Sequence, residues 1–278
     1  MALKFRCMMN GKMRKLNKDF YNIATNNDWV DLSDFWSWPL TQILDDVKAI
    51  PDNLWAKPFD GGDKEKGEGY NNTQSNINLP GTEKGSEKIP AKGWKSVMFL
   101  NDTGISDNQI LTFDAMYKNQ WEYKKRLKYV NKVRTWTDIA KFSPTLKTFF
   151  EEKIFPYIGV AYIFVTQLEP GGIISQHNDI PDGAKPLNTG EKLFAYDMCN
   201  VFNLCLNDVD YCHAVFNKKI MPSHDGCLMW TNTGKDHWVV NMNREPQYKI
   251  IFQGFFKKPF REKVVNEKSE YLNAQDIH

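Results

Sequence analysis

Three residues in this chain have the types and spacing of metal ligands. His177 and Asp179 belong to the triplet His177-Asn178-Asp179, and His237 follows about 58 positions after the aspartate. Two imidazoles and one carboxylate occupy one face of an octahedral Fe(II) and leave the opposite positions open for a co-substrate and O₂. The triplet's spacing suits that task. Residues i and i+2 of an extended segment point to the same side, so both side chains reach one ion. An H-x-D triplet is common by chance, so its surroundings carry weight. The apolar run Val160-Ala161-Tyr162-Ile163-Phe164-Val165 leads through Glu169-Pro170-Gly171-Gly172 into the triplet, a strand and then a turn that aims side chains. His237 stands in Asp236-His237-Trp238-Val239-Val240-Asn241, a strand entered from a turn at Thr233-Gly234. Each residue also has an ordinary structural reading. The triplet fits a surface histidine with a turn-capping aspartate, and His237 fits a core histidine donating to a backbone carbonyl. Order, spacing and neighbourhood together favour the metal centre.

A fourth residue extends the set. Lys249 lies in the apolar strand candidate Gln247-Tyr248-Lys249-Ile250-Ile251-Phe252. A buried ammonium is costly unless an anion pairs with it. A dicarboxylate chelating the metal through a 2-oxo acid end would bring its far carboxylate to Lys249 as that anion. The alternative is a lysine on the solvent face of a half-exposed strand. Arg244 is the rival anion partner, but Met242-Asn243-Arg244-Glu245-Pro246 reads as a hairpin turn that exposes it.

These residues need elements to hold them. In Leu40 to Val47, apolar residues fall at Leu40, Ile43, Leu44 and Val47, the spacing of a helix, with Pro51 beyond its end. Residues 60–92 are polar and glycine-rich and read as a long, flexible loop, either a lid or disordered. Trp94 to Leu100 is a strand candidate. Ser143-Pro144 marks a helix start, with Ser143 as cap and Pro144 in the first turn, and its apolar face runs on to Ile154. From residue 157 onward short strands alternate with Gly, Pro, Asn and Asp: 158–168, 173–180, 200–207, 211–219, 226–231, 236–242 and 247–257. A helical and irregular part over 1–156 followed by a β core over 157–257 predicts one mainly β domain with flanking helices, a jelly-roll barrel.

Composition bounds the function. The chain has 278 residues, 41% hydrophobic and 25% charged, which suits one large domain. A formal charge of +2 gives no case for a nucleic-acid partner. Lys124 to Lys128 reads as a solvated helix face. Met1 to Lys18 is basic without an apolar core of about 7–15 residues, so it is not read as a signal peptide. No run approaches the ~20 apolar residues of a membrane helix. Five cysteines with no such features suggest a reducing, cytoplasmic setting. Cys199, Cys205, Cys212, His213, His224 and Cys227 lack the tight C-x₂₋₄-C spacing of structural zinc and read as buried or incidental.

The segment from Gln167 to Phe256 resembles the Fe(II)/2-oxoglutarate-dependent oxygenases, most closely their aspartyl/asparaginyl β-hydroxylase-like branch. The resemblance rests on Leu168-Glu169-Pro170-Gly171-Gly172 before His177-Asn178-Asp179, then Asp236-His237-Trp238-Val239, then Lys249-Ile250-Ile251-Phe252. It covers about a third of the chain. It implies a double-stranded β-helix, a cupin-like barrel, with His177, Asp179 and His237 holding Fe(II) and Lys249 binding 2-oxoglutarate. Asn203 falls on the strand where the family often has a second polar contact to that co-substrate, and an ordinary polar side chain on a strand face fits it equally. The implied reaction couples decarboxylation of 2-oxoglutarate, with O₂, to hydroxylation of a C–H bond in a peptide side chain or small amino-acid-like substrate. Two positions depart from the branch. Arginine is usual where this chain has Lys249, and an ammonium is a point charge rather than a bidentate fork. Asp179 is present, whereas the animal hydroxylases of the branch lack a carboxylate ligand. The alternative function is a non-catalytic or non-oxidative cupin-type barrel binding a small ligand.

Overall fold

Strands dominate because apolar and polar residues alternate through most of the second half of the chain. The computed structural model describes residues 15–16, 18–20, 22–24, 26–55, 92–101, 104, 134–177 and 200–272. Its strands are β1 (Trp29–Asp31), β2 (Lys92–Asn101), β3 (Thr135–Trp136), β4 (Ile158–His177), β5 (Asn200–Cys205), β6 (Cys212–Phe216), β7 (Lys219–Ile220), β8 (Leu228–Asn232), β9 (His237–Asn241) and β10 (Gln247–Phe256). The helices are α1 (Leu40–Lys48), α2 (Pro144–Phe149) and α3 (Lys258–Glu267). Ser143 caps α2 as expected, its Oγ accepting from the Leu146 amide at 3.4 Å, and the helix runs on into a wider π turn at Phe150–Ile154. Of the loop expected at 60–92, residues 60–91 lie outside the described residues and Lys92 is the first residue of β2. No helix among the described residues is long and apolar enough to cross a membrane.

One long strand divides the architecture. The segment expected at 158–168 and the described part of that expected at 173–180, residues 173–177, form a single element, β4, of 20 residues. Its first part pairs with β10 on one side and β2 on the other, and its last residues pair with β9. All pairings are antiparallel, in the order β1-β8-β5-β10-β4-β9-β6-β7. The first part of β4 thus sits with β10, β5 and β8, and its end sits with β9, β6 and β7. From β4 onward, with the β6–β7 hairpin taken as one unit, consecutive strands contribute alternately to the two halves of a curled sheet. That is a double-stranded β-helix.

Period-two alternation assigns the faces. On the outer face Ile250, Phe252, Phe202, Leu204, Leu228 and Trp230 pack with Ile43 and Val47 of α1, Leu146 of α2 and Phe260 and Val264 of α3. Phe202 stacks on Phe252 with centroids 4.7 Å apart. On the inner face Cys205, Cys227 and Met229 meet Ala214, Phe216 and Met221 across the space between the halves.

β4 changes partners at Glu169-Pro170-Gly171-Gly172, the turn that the sequence marks. Gly171 has φ +70°, open to glycine at little cost. Glu169 pairs with Lys95 of β2 at 2.6 Å and accepts from Gln167 Nε2 at 2.8 Å. The hydrogen bond to Glu169 raises the pKa of Lys95. Fully buried Asn241, at the end of β9, donates from Nδ2 to the carbonyls of Leu168 and Glu245 at 2.9 and 2.8 Å. Gly172 is held for a different reason than Gly171. A Cβ there would fall 2.7 Å from both the Glu169 carbonyl oxygen and Leu168 Cδ1. Gly171→Ala, with open space around it, is expected to cost about 1 kcal/mol through its backbone conformation. Gly172→Ala should cost more, about 1–3 kcal/mol, through overlap with backbone. Urea unfolding of both variants checks the order; equal midpoints would remove Gly172 from the account of the bend.

Candidate metal centre

His237 is the first residue of β9 and is buried. Its ring lies flat on Phe216, with centroids 4.9 Å apart and planes 5° from parallel. Its Nδ1 is 2.9 Å from the carbonyl oxygen of Lys235. A carbonyl only accepts, so Nδ1 carries a proton and donates. In the neutral tautomer that this bond selects, Nε2 is the nitrogen that bears the lone pair. The carbonyl contact matches the core-histidine reading, and it is also the bond that fixes tautomer and orientation in metal-ligating histidines.

His177 is the last residue of β4, and its register partner across the ladder is His237. On the other side, Phe216 of β6 pairs with His237. Opposed positions of an antiparallel pair have Cβ atoms about 4.5–5.5 Å apart. The backbone therefore brings the two histidine positions together. A bulge decides this. Ile173 and Ile174 pair with Val240 and Val239, and the register then shifts before His177 meets His237. Unshifted, the ladder would set Gln176 there instead. Gln176 instead donates from Nε2 to Asp236 Oδ2 at 3.3 Å, tying together the residues that precede the two histidines. Asp179 and the side chain of His177 lie outside the described residues. Among the described residues, which lack both, no three His, Cys, Asp or Glu side chains gather as ligands of an ion.

Lys249 lies on β10 between Thr166 of β4 and Cys205 of β5, and only 9% of it is exposed. Lys249 is the register partner of Cys205, whose side chain packs with Ala214 and Phe216 of the other half, so Lys249 lies on the inner face. Burial raises the thiol pKa of Cys205 and Cys212, and the Lys249 charge opposes part of that rise. Among the described residues, none forms an ion pair with it or accepts a hydrogen bond from its Nζ. The solvent-face reading of Lys249 does not hold, because the side chain is buried. Arg244 is exposed in the turn between β9 and β10, as its sequence context suggests. Asn203 is half-buried and spends its Nδ2 on Thr231 Oγ1 at 2.9 Å, a bond between neighbouring strands.

Some residues escaped the sequence reading. Thr166 faces Lys249 directly across the ladder, is buried, and its Oγ1 donates to the Lys249 carbonyl at 3.5 Å. Gln253 shares the face of Lys249 and Ile251, is buried, and its Oε1 has no hydrogen-bond partner among the described residues. Counting by twos along β10 from Lys249 would have found Gln253. Thr166 breaks the apolar run of β4, but only the register shows what it opposes.

No protein-family model matches the sequence, and no curated protein does. Solved structures match at a distance. A prolyl hydroxylase from Trichoplax adhaerens, in complex with a hypoxia inducible factor oxygen degradation domain peptide fragment, is 10% identical, with 90% of this chain and 94% of that one covered and a TM-score of 0.41. A Pseudomonas putida prolyl-4-hydroxylase is 10% identical over 87% of this chain and 99% of its own, with a TM-score of 0.38. A Burkholderia pseudomallei oxidoreductase of the 2OG-Fe(II) oxygenase family is 8% identical over 59% and 69%, with a TM-score of 0.36. Likeness this distant decides neither family nor activity. The strand order carries the fold.

Cys205, Cys212 and Cys227 are free and buried. Burial pushes the thiols of Cys212 and Cys227 up to about 11, and that of Cys205 up as well. The thiolate is the reactive form, so these cysteines are protonated and slow to react near neutrality. Alkylation at pH 8, followed by peptide mass mapping, is expected to label Cys212 and Cys227 at least about tenfold more slowly in the native protein than in urea. Equal rates would show that the inner face is open to solvent.

Proposed function

We propose that this chain is an Fe(II)- and 2-oxoglutarate-dependent oxygenase that hydroxylates a C–H bond of a peptide side chain or small amino-acid-like substrate. The supporting observation is the pairing of His177 with His237, at the end of the barrel where β9 begins, together with buried Lys249 between the two halves of the sheet. On the residues alone, the aspartyl/asparaginyl β-hydroxylase-like branch is the nearest resemblance. Free buried thiols suit a reducing, cytoplasmic setting.

The described residues fit the group they would hold. His237 has one ring nitrogen bound to a carbonyl and the other suited to a metal, and the ladder sets His177 against it. Asp179 would supply the carboxylate of the set. Such a set, loaded with Fe(II) and 2-oxoglutarate, supplies oxidative decarboxylation coupled to hydroxylation. The protein's own part is binding, orientation and dryness. Lys249 offers a positive charge to the far carboxylate of 2-oxoglutarate, and Thr166 braces the strand beneath it through its hydroxyl bond to the Lys249 carbonyl. Phe216 covers one face of the His237 ring and excludes water from it. Substrate approaches from the His237 end, and at the other end of β9 Asn241 ties the strand to the β4 bend.

Lys249→Met keeps the length of the side chain and removes its charge. Truncating a buried, hydrogen-bonded charge pair costs about 2–5 kcal/mol, so the apparent Michaelis constant for 2-oxoglutarate is expected to rise about thirtyfold or more. Fe(II) affinity should be nearly unchanged. Thr166→Val, which removes only the hydroxyl bond to the Lys249 carbonyl, should raise the same constant less than Lys249→Met does. The readout is succinate release across a panel of peptides and amino acids, preceded by an anaerobic search for the weak visible charge-transfer band of the Fe(II)–2-oxoglutarate chelate. Absence of both the band and succinate would leave a binding barrel. Unchanged 2-oxoglutarate kinetics in Lys249→Met would move the anchor to another cation, Arg244 first.

A further inference from the structure

We infer that Asp28, far from the metal centre in sequence, is a positioning residue that holds the turn orienting His237. The inference rests on the metal-centre reading proposed above. It begins with the Lys235 carbonyl, which accepts from His237 Nδ1 at 2.9 Å and so sets the plane of the ring. That carbonyl belongs to the turn between β8 and β9, a segment with no strand partner of its own. A turn holds a carbonyl in place only if something holds the turn.

Asp28 grips this turn at both ends. Its main-chain carbonyl accepts from the Asn232 amide at 3.0 Å, where β8 ends. Its carboxylate Oδ1 lies 2.7 Å from Lys235 Nζ, at the residue whose carbonyl meets His237. Within the turn the Lys235 amide donates to the Asn232 carbonyl at 3.1 Å, which closes the loop. The carboxylate is well shielded, its side chain 9% exposed, so this ion pair is less screened than one in open water. Two further groups face it, from the turn between β6 and β7 and from the start of β7. Lys219 Nζ is 3.5 Å from Oδ2, and Asn217 Nδ2 donates to Oδ1 at 3.4 Å. Asn217 also donates its main-chain amide to the Asp236 carbonyl at 2.8 Å. One carboxylate thus joins the segment before β1, the β6–β7 turn and the β8–β9 turn around the start of β9. Partners behind a ligating histidine typically change metal affinity about 10–100-fold when removed.

The test is Co(II) binding to the full chain by calorimetry and by the visible spectrum of the bound ion. Apo-protein unfolding midpoints are measured alongside. Asp28→Asn keeps the shape and the main-chain bond to Asn232 but removes the charge. It is expected to weaken Co(II) about tenfold and change the spectrum. Lys235→Met should do the same, and the double variant should be no worse than either single one. A residue that serves only stability would lower the apo midpoint and leave the affinity and spectrum of the folded fraction unchanged. That outcome, with wild type binding Co(II), overturns the inference and leaves the metal reading standing. Failure of wild type to bind Co(II) instead removes the metal reading, and the inference with it. Should Asp28→Asn not fold, Lys235→Met decides by the same comparison, since it keeps Asp28 and its main-chain bond.

Discussion

The antiparallel ladder between the end of β4 and the start of β9 is the constraint on which the candidate site depends. Side chains in a strand alternate with a period of two, so a one-residue slip carries every group to the wrong face. Here the slip is built in. The bulge between Ile174 and His177 adds one residue to β4 and sets a histidine, rather than Gln176, opposite His237. Bulges re-aim strands beside functional sites in this way. The register is tied on both sides of the bulge, by Asn241 to Leu168 at one end and by Gln176 to Asp236 at the other. The bend at Gly171 and Gly172 lets the same strand serve both halves of the sheet.

Lys249 is the energetic counterpart of that geometry. A buried ammonium without an anion is an unfavourable element in an apolar core. The outer face of the same strand shows what the core gains elsewhere, with Phe252 stacked on Phe202 and edge-on to Phe150. Aromatic pairs of this kind add about 0.5–1.5 kcal/mol each beyond their buried area. The inner face of β10 gives up that packing for Lys249 and Gln253, and Gln253 Oε1 is buried without a hydrogen-bond partner among the described residues. A ligand that pairs with the ammonium would stabilise the folded state by mass action.

Much of the architecture could be read from the residues. β5, β6, β8, β9 and β10 follow the alternation and the turn residues, although the strand expected at 211–219 ends at Phe216 and gives way to the short β7, and α1 follows the spacing of Leu40, Ile43, Leu44 and Val47. Lys249 was recognisable as buried because its neighbours are apolar. Other features were not visible. β1, β3 and β7 have two or three residues each, too few to show a period. The continuity of β4 was hidden because Pro170-Gly171-Gly172 has the composition of a strand end. The histidines could be matched by type and spacing, but the bulge that opposes them leaves no composition mark. Asp28 is separated from Lys235 by 207 positions, and only the fold brings an exposed-looking aspartate to that turn.

The central claim is that the ladder sets two histidines on one iron. Iron-edge X-ray absorption of the Fe(II)-loaded protein measures this directly, since imidazole rings give a distinctive scattering pattern that can be counted. The account predicts two imidazoles on the ion, at roughly the 2.0–2.2 Å of metal–nitrogen and metal–oxygen ligation, and one in His237→Ala that remains folded. Iron with no imidazole in the wild type, or an unchanged count in the folded His237→Ala protein, would contradict it.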